Sequence, residues 1–560
     1  MLAWQRVAAP VPDMSSSNAA SPAANPQLQR PLRPHLDPQP ARTAQHTRLG
    51  PEWLACMLVC ALWFGATTGL RPLAIPDEGR YVGVAWEMLR SGNWLVPTLD
   101  GLPFFHKPPL FYWTTTAAMQ LFGPGLAASR AAACLGSVGV VTGLFAFTSR
   151  WVGRRQAWTA AAVLATMPLF YAGSQYANLD MLVAGCISAT ILLTTHAALA
   201  RAQGLPHRQA LALAFVAAAL GVLSKGLIGA VLPVLVLLGW GLATQRLGRV
   251  LALLMWAPGW LLFAAIAAPW FMLMQHRFPD FGHYFFVVQH LQRFTSSGFN
   301  NLKPWWFYPV ALVVLTLPWS PWLAGVWRRA SQTESAQADL RTLMLVWVGT
   351  VTLFFSLPAS KLVGYILPAV PPLAFLVADA IGAWRTRRLA AGATPGALPG
   401  ATAALAATVC VCAAVTMHFY QPKSHQALAE NLLASRQARE PVVFIDHYYY
   451  DVMFYARLDE PVTVVDRWLP AEVAKDSWRR ELVDATHFAP AASSRRLLHP
   501  DELDALLCRN HASWVIGPWP AATGSERFAA LPPAYQSGDT ALWHVAASAL
   551  ECNASASPAG

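Results

Sequence analysis

The chain has 560 residues, of which 55% are hydrophobic and only 12% are charged, whereas soluble domains carry about 25% charged residues. This composition excludes an ordinary soluble domain and favours an integral membrane protein. The formal net charge of +11 is attributed to basic cytoplasmic loops, because no basic run is interleaved with aromatic residues as in nucleic-acid-binding segments. Membrane lipids are therefore expected partners and nucleic acid is not.

The first 50 residues are rich in Pro, Ala, Ser and Gln, which predicts a disordered cytoplasmic tail. The first apolar run begins near Trp53 and has no small-residue cleavage pattern behind it, so we interpret it as a retained helix. A membrane-spanning helix needs ~20 apolar residues. Eleven spans are predicted, at 53–74, 127–149, 156–174, 180–200, 209–224, 228–243, 250–273, 304–326, 342–357, 362–384 and 399–419. An interfacial or re-entrant helix at 108–123 would raise the total to between eleven and thirteen.

Basic residues predict the orientation of these spans, because short cytoplasmic loops carry an excess of Lys and Arg. The loops on one side contain Arg150, Arg154, Arg155, Arg201, Arg208, Arg246, Arg249, Arg328, Arg329, Arg341, Arg385, Arg387 and Arg388. A cytoplasmic N-terminus places all of them inside. The protein is therefore expected to cross a membrane many times, with a transmembrane domain over 51–420 whose loops 75–126 and 274–303 face away from the cytoplasm.

Residues 421–560 differ from the rest of the chain because they are more polar. Strand-like runs such as "PVVFID" (441–446) and "ASWVIG" (512–517) alternate with helix-like runs such as "PDELDALLCRN" (500–510). Short apolar strands between helices predict a small α/β domain, here a periplasmic one. Two of the eight cysteines, Cys508 and Cys552, lie in it. An oxidising periplasm would allow them to pair, and the sequence leaves open whether they do.

Charged and polar residues collect on the predicted outer face, at the edge of the membrane. They are Asp77, Glu78, Arg80, His106, Lys107, Asp180, Lys225, His283, His290, Arg293, Lys361 and Tyr365. Ionisable residues at or inside a bilayer are costly and point to function. Each also has a simpler interpretation. Asp77 or Asp180 can cap a helix, Lys225 and Lys361 can be anchors that reach the interface, which is the interpretation favoured for Lys225, and His283 can be a surface or packing residue.

Four separate loops bring charge to one face, and this convergence predicts a polar cavity at the outer leaflet. Carboxylates in such a cavity can accept a proton, hold a metal ion or bind sugar hydroxyls. Lysines and arginines can hold a lipid-linked phosphate. An acidic cluster alone would indicate a cation site, whereas acids with nearby bases indicate a phosphorylated substrate with a reacting end.

The stretch "PDEGRYVGVAWEMLRSGNWLVPTLDGLPFFHKPPLFYW" (76–113) resembles the first outer loop of bacterial C-type (GT-C) membrane glycosyltransferases. It looks most like the aminoarabinose lipid A transferases, which are akin to the protein O-mannosyltransferases. Three blocks carry this resemblance: Asp77 to Tyr81, Gly92 to Pro97, and Lys107 to Trp113. Downstream, "LDM" (179–181), "YFFVVQHLQRF" (284–294) and "SKLVGYILPAVPPLA" (360–374) follow in the family's order. The resemblance covers about residues 50–385.

The resemblance implies a GT-C fold of about 11–13 transmembrane helices and a donor sugar on a polyprenyl phosphate, transferred on the periplasmic side. The implied acceptor is lipid A or another envelope molecule, and the implied sugar is 4-amino-4-deoxy-L-arabinose, a modification linked to polymyxin resistance. Asp77 and Asp180 match the catalytic acidic residues. Lys107 and Arg293 match positions that hold the donor phosphate. The cavity residues would be Glu78, Arg80, Tyr81, Lys361 and Tyr365.

The chain departs from the family pattern at two positions. His106 stands where the family commonly has Glu before Lys-Pro-Pro, and Gln289 stands where it often has Glu before a histidine. Two carboxylates that could hold a divalent metal are therefore absent. His106 and His290 remain the candidate ligands for such an ion, zinc or magnesium.

The expected reaction is a single in-line displacement, with the leaving phosphate stabilised by Lys107 and Arg293. Asp77 would act as general base toward a hydroxyl acceptor. Toward an anionic lipid A phosphate it would instead orient the acceptor, stabilise charge on the sugar or hold a metal, with Asp180 assisting. A rival hypothesis is a transporter or flippase of lipid-linked sugars, which would use the same cavity without chemistry. Transporters often contain inverted repeats, and no repeat is visible here.

Overall fold

The computed structural model describes residues 50–292, 301–327, 335–394, 396–420, 424–437, 439–520, 531–550 and 552. The predicted tail lies outside these residues except for Gly50. Within the described part, seven helices are long and apolar enough to cross a membrane, and two shorter apolar helices accompany them. The nine are Pro51–Gly65, Ala131–Trp151, Leu179–Ala202, Arg208–Lys225, Ile228–Ala243, Ala257–Arg277, Gln337–Ser356, Val363–Ala390 and Leu398–Phe419.

Each of the eleven predicted spans overlaps at least one helix, but some are interrupted, and the predicted span 53–74 is helical only as far as Gly65. The predicted span 156–174 is formed by two helices, Arg154–Thr166 and Pro168–Ser174. Proline has no backbone N–H to continue the preceding helix and is favoured in a first turn, so Pro168 begins a new helix. The predicted span 304–326 is broken in the same way after Phe307–Leu315, where two further prolines follow. Interruption by proline thus explains why these two predicted spans are not long helices.

The segments between the spans are largely helical. The predicted interfacial or re-entrant helix is observed at Leu110–Phe122. A helix that we call the Asp77 helix runs from Asp77 to Ser91. The other elements are the paired strands Thr98–Leu99 and Leu102–Pro103, the α-helices Leu126–Ser129, Leu247–Leu254 and Ala324–Trp327, the 3₁₀ helix Ser320–Leu323 and the π-helix His283–Gln292.

The C-terminal region contains a six-stranded mixed sheet, which confirms the predicted α/β fold. Its strands, in spatial order, are Leu497–Leu498, Thr463–Val465, Val442–Ile445, Ala512–Pro518, Thr540–Ala546 and Tyr535–Ser537. The first four strands are parallel to one another, and Thr540–Ala546 is antiparallel to both of its neighbours. The helices of this region are Gln426–Ser435, Val452–Tyr455, Pro470–Val473, Trp478–Thr486, Pro490–Arg496 and Leu503–Cys508, with 3₁₀ helices at Pro500–Glu502 and Ala547–Leu550. Cys508 and Cys552 form a disulfide.

Two glycines allow the C-terminal region to pack closely on the Asp77 helix. A Cβ on Gly79 would lie 3.0 Å from Cβ of Tyr450, and one on Gly83 would lie 3.4 Å from the Tyr450 carbonyl oxygen. Farther along the helix, the Trp86 indole donates a hydrogen bond to the Leu458 carbonyl at 2.9 Å. The Asp77 helix is thus held against the C-terminal region along most of its length.

Candidate active site

The described residues form a cavity of about 490 Å³ beside the start of the Asp77 helix. This volume lies within the ~300–1,000 Å³ typical of small-molecule sites. The lining residues come from both the membrane part and the C-terminal region. They are Ile75, Pro76, Asp77, Arg80, Tyr81, Phe104, His106, Lys107, Asn178, Leu179, Asp180, Lys225, Asn301, Leu362, Tyr365, His447, Tyr450, Asp476, Ser477, Trp478 and Glu481.

Asp77, Arg80 and Tyr81 lie on the cavity side of the Asp77 helix, because residues three and four apart share a helix face. The Asp77 carboxylate is 31% exposed and is paired with the Arg80 guanidinium. The guanidinium carbon of Arg80 also lies 5.2 Å from the ring centroid of Tyr81. Burial raises the pKa of Tyr81, so its hydroxyl stays protonated at neutral pH. The cluster presents one partly exposed carboxylate, held in place by a buried cation.

Asp180 lies in the first turn of the helix Leu179–Ala202, but it does not cap that helix. The cap is Asn178, whose side-chain oxygen accepts a hydrogen bond from the Asp180 backbone N–H at 3.0 Å. The Asp180 carboxylate instead accepts hydrogen bonds from the Asn178 amide, at 3.1 Å, and from Lys225. The capping interpretation of Asp180 is therefore wrong, and its carboxylate is positioned by two neighbours that also line the cavity.

Lys225 does not act as an interfacial anchor. Its ammonium pairs with Asp180 and lies 4.1 Å from the ring centroid of Tyr365. Gly364 allows this arrangement, because a Cβ there would lie 2.1 Å from Oδ2 of Asp180. The anchor role favoured from the sequence is therefore wrong for Lys225. Its role in the cavity depends on pairing with a residue 45 positions away, which no local sequence pattern reveals.

Lys107 lines the cavity next to His106, whose ring stacks on Phe104 with centroids 4.4 Å apart. His290 lies outside the lining residues. Its Nδ1 is 2.7 Å from the Phe285 carbonyl oxygen, and burial together with the Lys107 charge lowers the pKa of His290 to about 4. Lys107 therefore lines the cavity with a neutral histidine nearby.

Glu78, expected among the cavity residues, faces away from the cavity. Both Glu78 and Arg130 are fully buried, and they pair at 3.0 Å, while Arg71 pairs with the same carboxylate at 2.5 Å. Burial alone would raise the pKa of Glu78, but the charges of Arg130 and Arg71 lower it to about 2. The backbone N–H of Ala177 also donates to this carboxylate at 2.6 Å. Glu78 thus joins the start of the Asp77 helix to the segment that precedes Asp180.

Lys361 is also absent from the cavity wall. Its ammonium donates hydrogen bonds to the carbonyl oxygens of Lys303, at 3.1 Å, and Pro358. Lys361 therefore holds the loop that brings Asn301 to the cavity. Arg293, the second residue expected to hold the donor phosphate, lies outside the described residues.

The C-terminal region supplies a wall of the cavity that sequence reasoning missed. Glu481 pairs with Arg80 and accepts a hydrogen bond from the Tyr450 hydroxyl at 2.5 Å. Burial raises the pKa of Glu481, and the Arg80 charge opposes that rise. His447, Asp476, Ser477 and Trp478 complete this wall. No local sequence signal links these residues to Asp77, because the contact is made between parts of the chain far apart.

The described residues do not fit the expected divalent metal. Among them, no group of three or more His, Cys, Asp or Glu side chains is placed to hold an ion. Of the two candidate ligands, His106 lines the cavity while His290 lies against the backbone of Phe285 and Gly226. The structure therefore assigns no cofactor.

Comparison with known proteins locates the chain in a fold class. A sequence model of the family described as dolichyl-phosphate-mannose-protein mannosyltransferase matches residues 70–285. A crystal structure of ArnT from Cupriavidus metallidurans bound to undecaprenyl phosphate superimposes with a TM-score of 0.74 at 22% identity, covering 89% of this chain and 99% of that one. The apo oligosaccharyltransferase of Archaeoglobus fulgidus gives a TM-score of 0.52 at 14% identity, covering 83% of this chain and 69% of that one.

The fold is that of the C-type membrane glycosyltransferases. Within that class, the chain is 36% identical over 313 residues to the undecaprenyl phosphate-alpha-4-amino-4-deoxy-L-arabinose arabinosyl transferase of Aeromonas salmonicida, covering 55% of this chain and 56% of that protein. The Pectobacterium carotovorum protein of the same name is 33% identical over 356 residues, covering 62% of this chain and 63% of that protein. The matched region thus spans little more than half the length of these relatives. The predicted resemblance and fold are confirmed, and the protein is a multi-pass protein of the bacterial inner membrane.

Proposed function

We propose that the protein is a glycosyltransferase that moves 4-amino-4-deoxy-L-arabinose from undecaprenyl phosphate to lipid A. One observation carries the proposal: the lining of a single cavity combines the lysines Lys107 and Lys225 with several carboxylates, among them Asp77 and Asp180. Cations can hold a lipid-linked phosphate and carboxylates can serve a reacting sugar and its acceptor. The names of the arabinosyl transferase relatives and of the undecaprenyl phosphate complex support this choice of donor and sugar.

The donor phosphate lies against Lys107 and Lys225 in this proposal, with Arg293 as a third candidate. In the transfer, the bond between sugar C1 and the phosphate oxygen breaks as the acceptor oxygen forms a new bond to C1. Negative charge collects on the departing polyprenyl phosphate. Ammonium groups already fixed near that oxygen stabilise this charge without further reorganisation. The pairing of Lys225 with Asp180 keeps its ammonium beside Tyr365, at the cavity wall.

The acceptor oxygen approaches Asp77. Toward a hydroxyl acceptor, this carboxylate takes the proton. Toward a lipid A phosphate, the oxygen is already anionic and Asp77 orients the acceptor and stabilises positive charge on the sugar ring. Arg80 orients Asp77 through their ion pair, and Asp180, which lines the same cavity, assists.

The cavity and the C-terminal region face the periplasm in this proposal. The helix Leu179–Ala202 has Asp180 at its cavity end and Arg201 in its last turn, and basic residues favour the cytoplasmic side. The disulfide between Cys508 and Cys552 fits an oxidising compartment. The chain accordingly divides into a cytoplasmic tail (1–50), a transmembrane domain (51–420) and a periplasmic domain (421–560).

The proposal is tested with purified protein in detergent, undecaprenyl phosphate-linked aminoarabinose and lipid A, with mass spectrometry of the lipid product. Wild type should transfer the sugar, and Asp77→Asn should lose nearly all transfer while remaining folded. Asp459→Asn is the matched control, because Asp459 is an exposed carboxylate paired with Arg90 outside the cavity.

One result would overturn the role of Asp77, and another would overturn the proposed function itself. Unchanged transfer by Asp77→Asn would remove the assigned role of Asp77. Movement of the intact donor across a vesicle membrane, without transfer when both lipids share a micelle, would establish the rival flippase. In cells, deletion should remove aminoarabinose from lipid A and increase polymyxin susceptibility.

A further inference from the structure

Among the described residues, the wall that the C-terminal region adds to the active-site cavity carries no positive charge. Burial, together with the charge of His425, lowers the pKa of His447 to about 4, so this ring is neutral at neutral pH. The lysines assigned to the donor phosphate, Lys107 and Lys225, belong to the membrane part. A substrate that reaches both parts therefore meets lysines from one and carboxylates from the other. The wall residues are His447, Tyr450, Asp476, Ser477, Trp478 and Glu481.

The cluster of Asp77, Arg80 and Glu481 is one positive charge short. Arg80 pairs with both carboxylates, so one guanidinium (+1) and two carboxylates (−1 each) together carry a charge of −1. Burial raises the pKa of Glu481, the Arg80 charge opposes that rise, and the charge of Asp476 adds to it. A second cation beside Glu481 would stabilise its ionised form, because an opposite charge nearby favours the charged state of a carboxyl group.

Glu481 can accept a further hydrogen bond from the cavity. Its Oε1 accepts from Arg80, and its Oε2 accepts from the Tyr450 hydroxyl at 2.5 Å. A carboxylate has about four acceptor positions, so about two remain open in the described part of the chain, on a side chain that lines the cavity. A hydrogen bond from an ammonium group to a carboxylate is stronger than one from a neutral hydroxyl. Glu481 can therefore distinguish an amino group from a hydroxyl.

Trp478 gives the same wall a surface suited to a sugar. Trp478 is only 8% exposed, and it lines the cavity. Two neighbours fix its ring: the guanidinium carbon of Arg479 lies 4.5 Å from the ring centroid, and the Trp468 centroid lies 5.7 Å away. The indole N–H of Trp478 makes no hydrogen bond within the residues that the structure describes, although the N–H of a buried tryptophan usually has a partner. This donor is available to a hydroxyl of a bound sugar.

We propose that Glu481 recognises the 4-ammonium group of the donor sugar and so selects aminoarabinose over sugars with a hydroxyl at that carbon. This inference rests on the proposed function, in which the lysines hold the donor phosphate and the acceptor oxygen attacks the sugar beside Asp77. In a pyranose ring, C4 lies across from C1, so its amino group points away from the phosphate. Glu481 is one guanidinium away from Asp77. The ammonium group supplies the positive charge that the cluster lacks.

The test compares two donors that differ only at C4: undecaprenyl phosphate-linked aminoarabinose, and the same lipid carrying arabinose. The ratio of their kcat/KM values measures selectivity independently of total activity. We expect wild type to favour the amino sugar about tenfold or more, the effect of one hydrogen bond to a charged group. Glu481→Gln keeps the side chain's shape and its contact with Tyr450 but removes the charge, and the ratio should fall close to one. Glu472→Gln is the matched control, because Glu472 belongs to an exposed pair with Lys475 outside the cavity.

A purely structural role of Glu481 predicts a different result. Loss of the contact between Glu481 and Arg80 would then lower transfer from both donors by the same factor, because the Asp77 carboxylate serves either sugar. An unchanged ratio in Glu481→Gln would therefore overturn the inference and leave the proposed transfer intact. Absence of transfer from either donor in wild type would instead contradict the proposed function.

Donor binding to wild type tests the inference without any transfer and without a variant that must fold. Isothermal titration calorimetry in detergent would compare the two donors near neutral pH and at a pH above the pKa of the sugar amine. We expect the amino donor to bind more tightly near neutral pH and to lose that advantage when its amine is deprotonated. Equal affinities near neutral pH would overturn the inference, as would an advantage that persists after deprotonation.

Discussion

Arg80 of the Asp77 helix and Glu481 of the C-terminal region form an ion pair, although 401 positions separate them in the sequence. The Arg80 side chain is 15% exposed and that of Glu481 only 6%. The same guanidinium holds Asp77. The orientation of the proposed catalytic carboxylate therefore depends on a residue outside the membrane-spanning part.

Glu481→Ala should impair both folding and transfer. The substitution removes one of the two carboxylates that pair with Arg80 and the acceptor of the Tyr450 hydroxyl. Because Asp77 still pairs with Arg80, the cost should stay below the about 3–5 kcal/mol of a buried charge left without any partner, and Arg80 would be free to change its contact with Asp77. Thermal unfolding and transfer assays would measure the two effects. Glu472→Ala is the control, because Glu472 belongs to an exposed pair with Lys475. An unchanged melting temperature in Glu481→Ala would contradict this account.

Glu78→Gln should lower stability without any direct contact to substrate. The substitution keeps the side chain's shape but leaves Arg71 and Arg130 without their counter-charge, at a cost of about 3–5 kcal/mol. Glu52→Gln, in an exposed pair with Arg154, should have little effect. Chemical denaturation of both variants provides the comparison. If Glu78→Gln were as stable as wild type, the buried pairing would be energetically unimportant.

The free energy of unfolding should fall as pH rises from about 4 to 8, because of two buried carboxyl groups at and near the Asp77 helix. Burial raises the pKa of Glu87 to about 7, and burial together with the Glu87 charge raises the pKa of Asp100 to about 8. The folded state therefore holds protons that the unfolded state, with carboxyl pKa values near 4, has released. Unfolding releases those protons, so each rise in pH within this window favours the unfolded state.

Asp100→Asn should reduce that pH dependence. The amide carbonyl can still accept the 2.8 Å hydrogen bond from the Val462 backbone N–H, and asparagine tolerates the positive φ of 55° at this position. The melting temperature should exceed that of wild type at pH 8 and match it below about pH 4, where Asp100 is protonated in the unfolded state as well. Asp459→Asn, at an exposed site, serves as control. If the melting temperature of Asp100→Asn depended on pH as steeply as that of wild type, Asp100 would not contribute to the pH dependence of stability.

Gly364→Ala should slow transfer without unfolding the protein. A methyl group there would lie 2.1 Å from Oδ2 of Asp180, so the carboxylate must move. Displacing a reacting group by about 1 Å can cost roughly 100-fold in rate. Gly349→Ala is the control, because a Cβ at Gly349 meets nothing within 4 Å. Steady-state kinetics would measure the loss of kcat, and a melting curve would show whether the protein remains folded. A normal kcat for Gly364→Ala would argue against the need for precise placement of Asp180.

The membrane helices were predictable because hydrophobicity over ~20 residues is a local property. The direction of side chains on the Asp77 helix was predictable in principle as well. Asp77, Arg80 and Tyr81 follow the spacing of one helix face, whereas Glu78 lies about 100° around the axis. The prediction of Glu78 as a cavity residue is wrong because a cluster of charged residues in sequence does not lie on one helix face.

Two parts of the site could not be derived from local patterns. The wall formed by Tyr450 and Glu481 depends on how the loop that carries Tyr450 packs on Gly79 and Gly83, which is a tertiary contact. The role of Lys225 depends on its pairing with Asp180 across two helices. A lysine at a helix end looks the same in sequence whether it reaches the interface or turns toward a carboxylate.

The buried trio of Arg71, Glu78 and Arg130 restricts how this chain can change during evolution. A single substitution that removes the carboxylate leaves two buried cations, and one that removes Arg130 leaves the carboxylate with only one fully engaged partner. A neutral replacement of the whole trio is reachable only through such charged intermediates. These three positions should therefore vary together among homologues, or not at all.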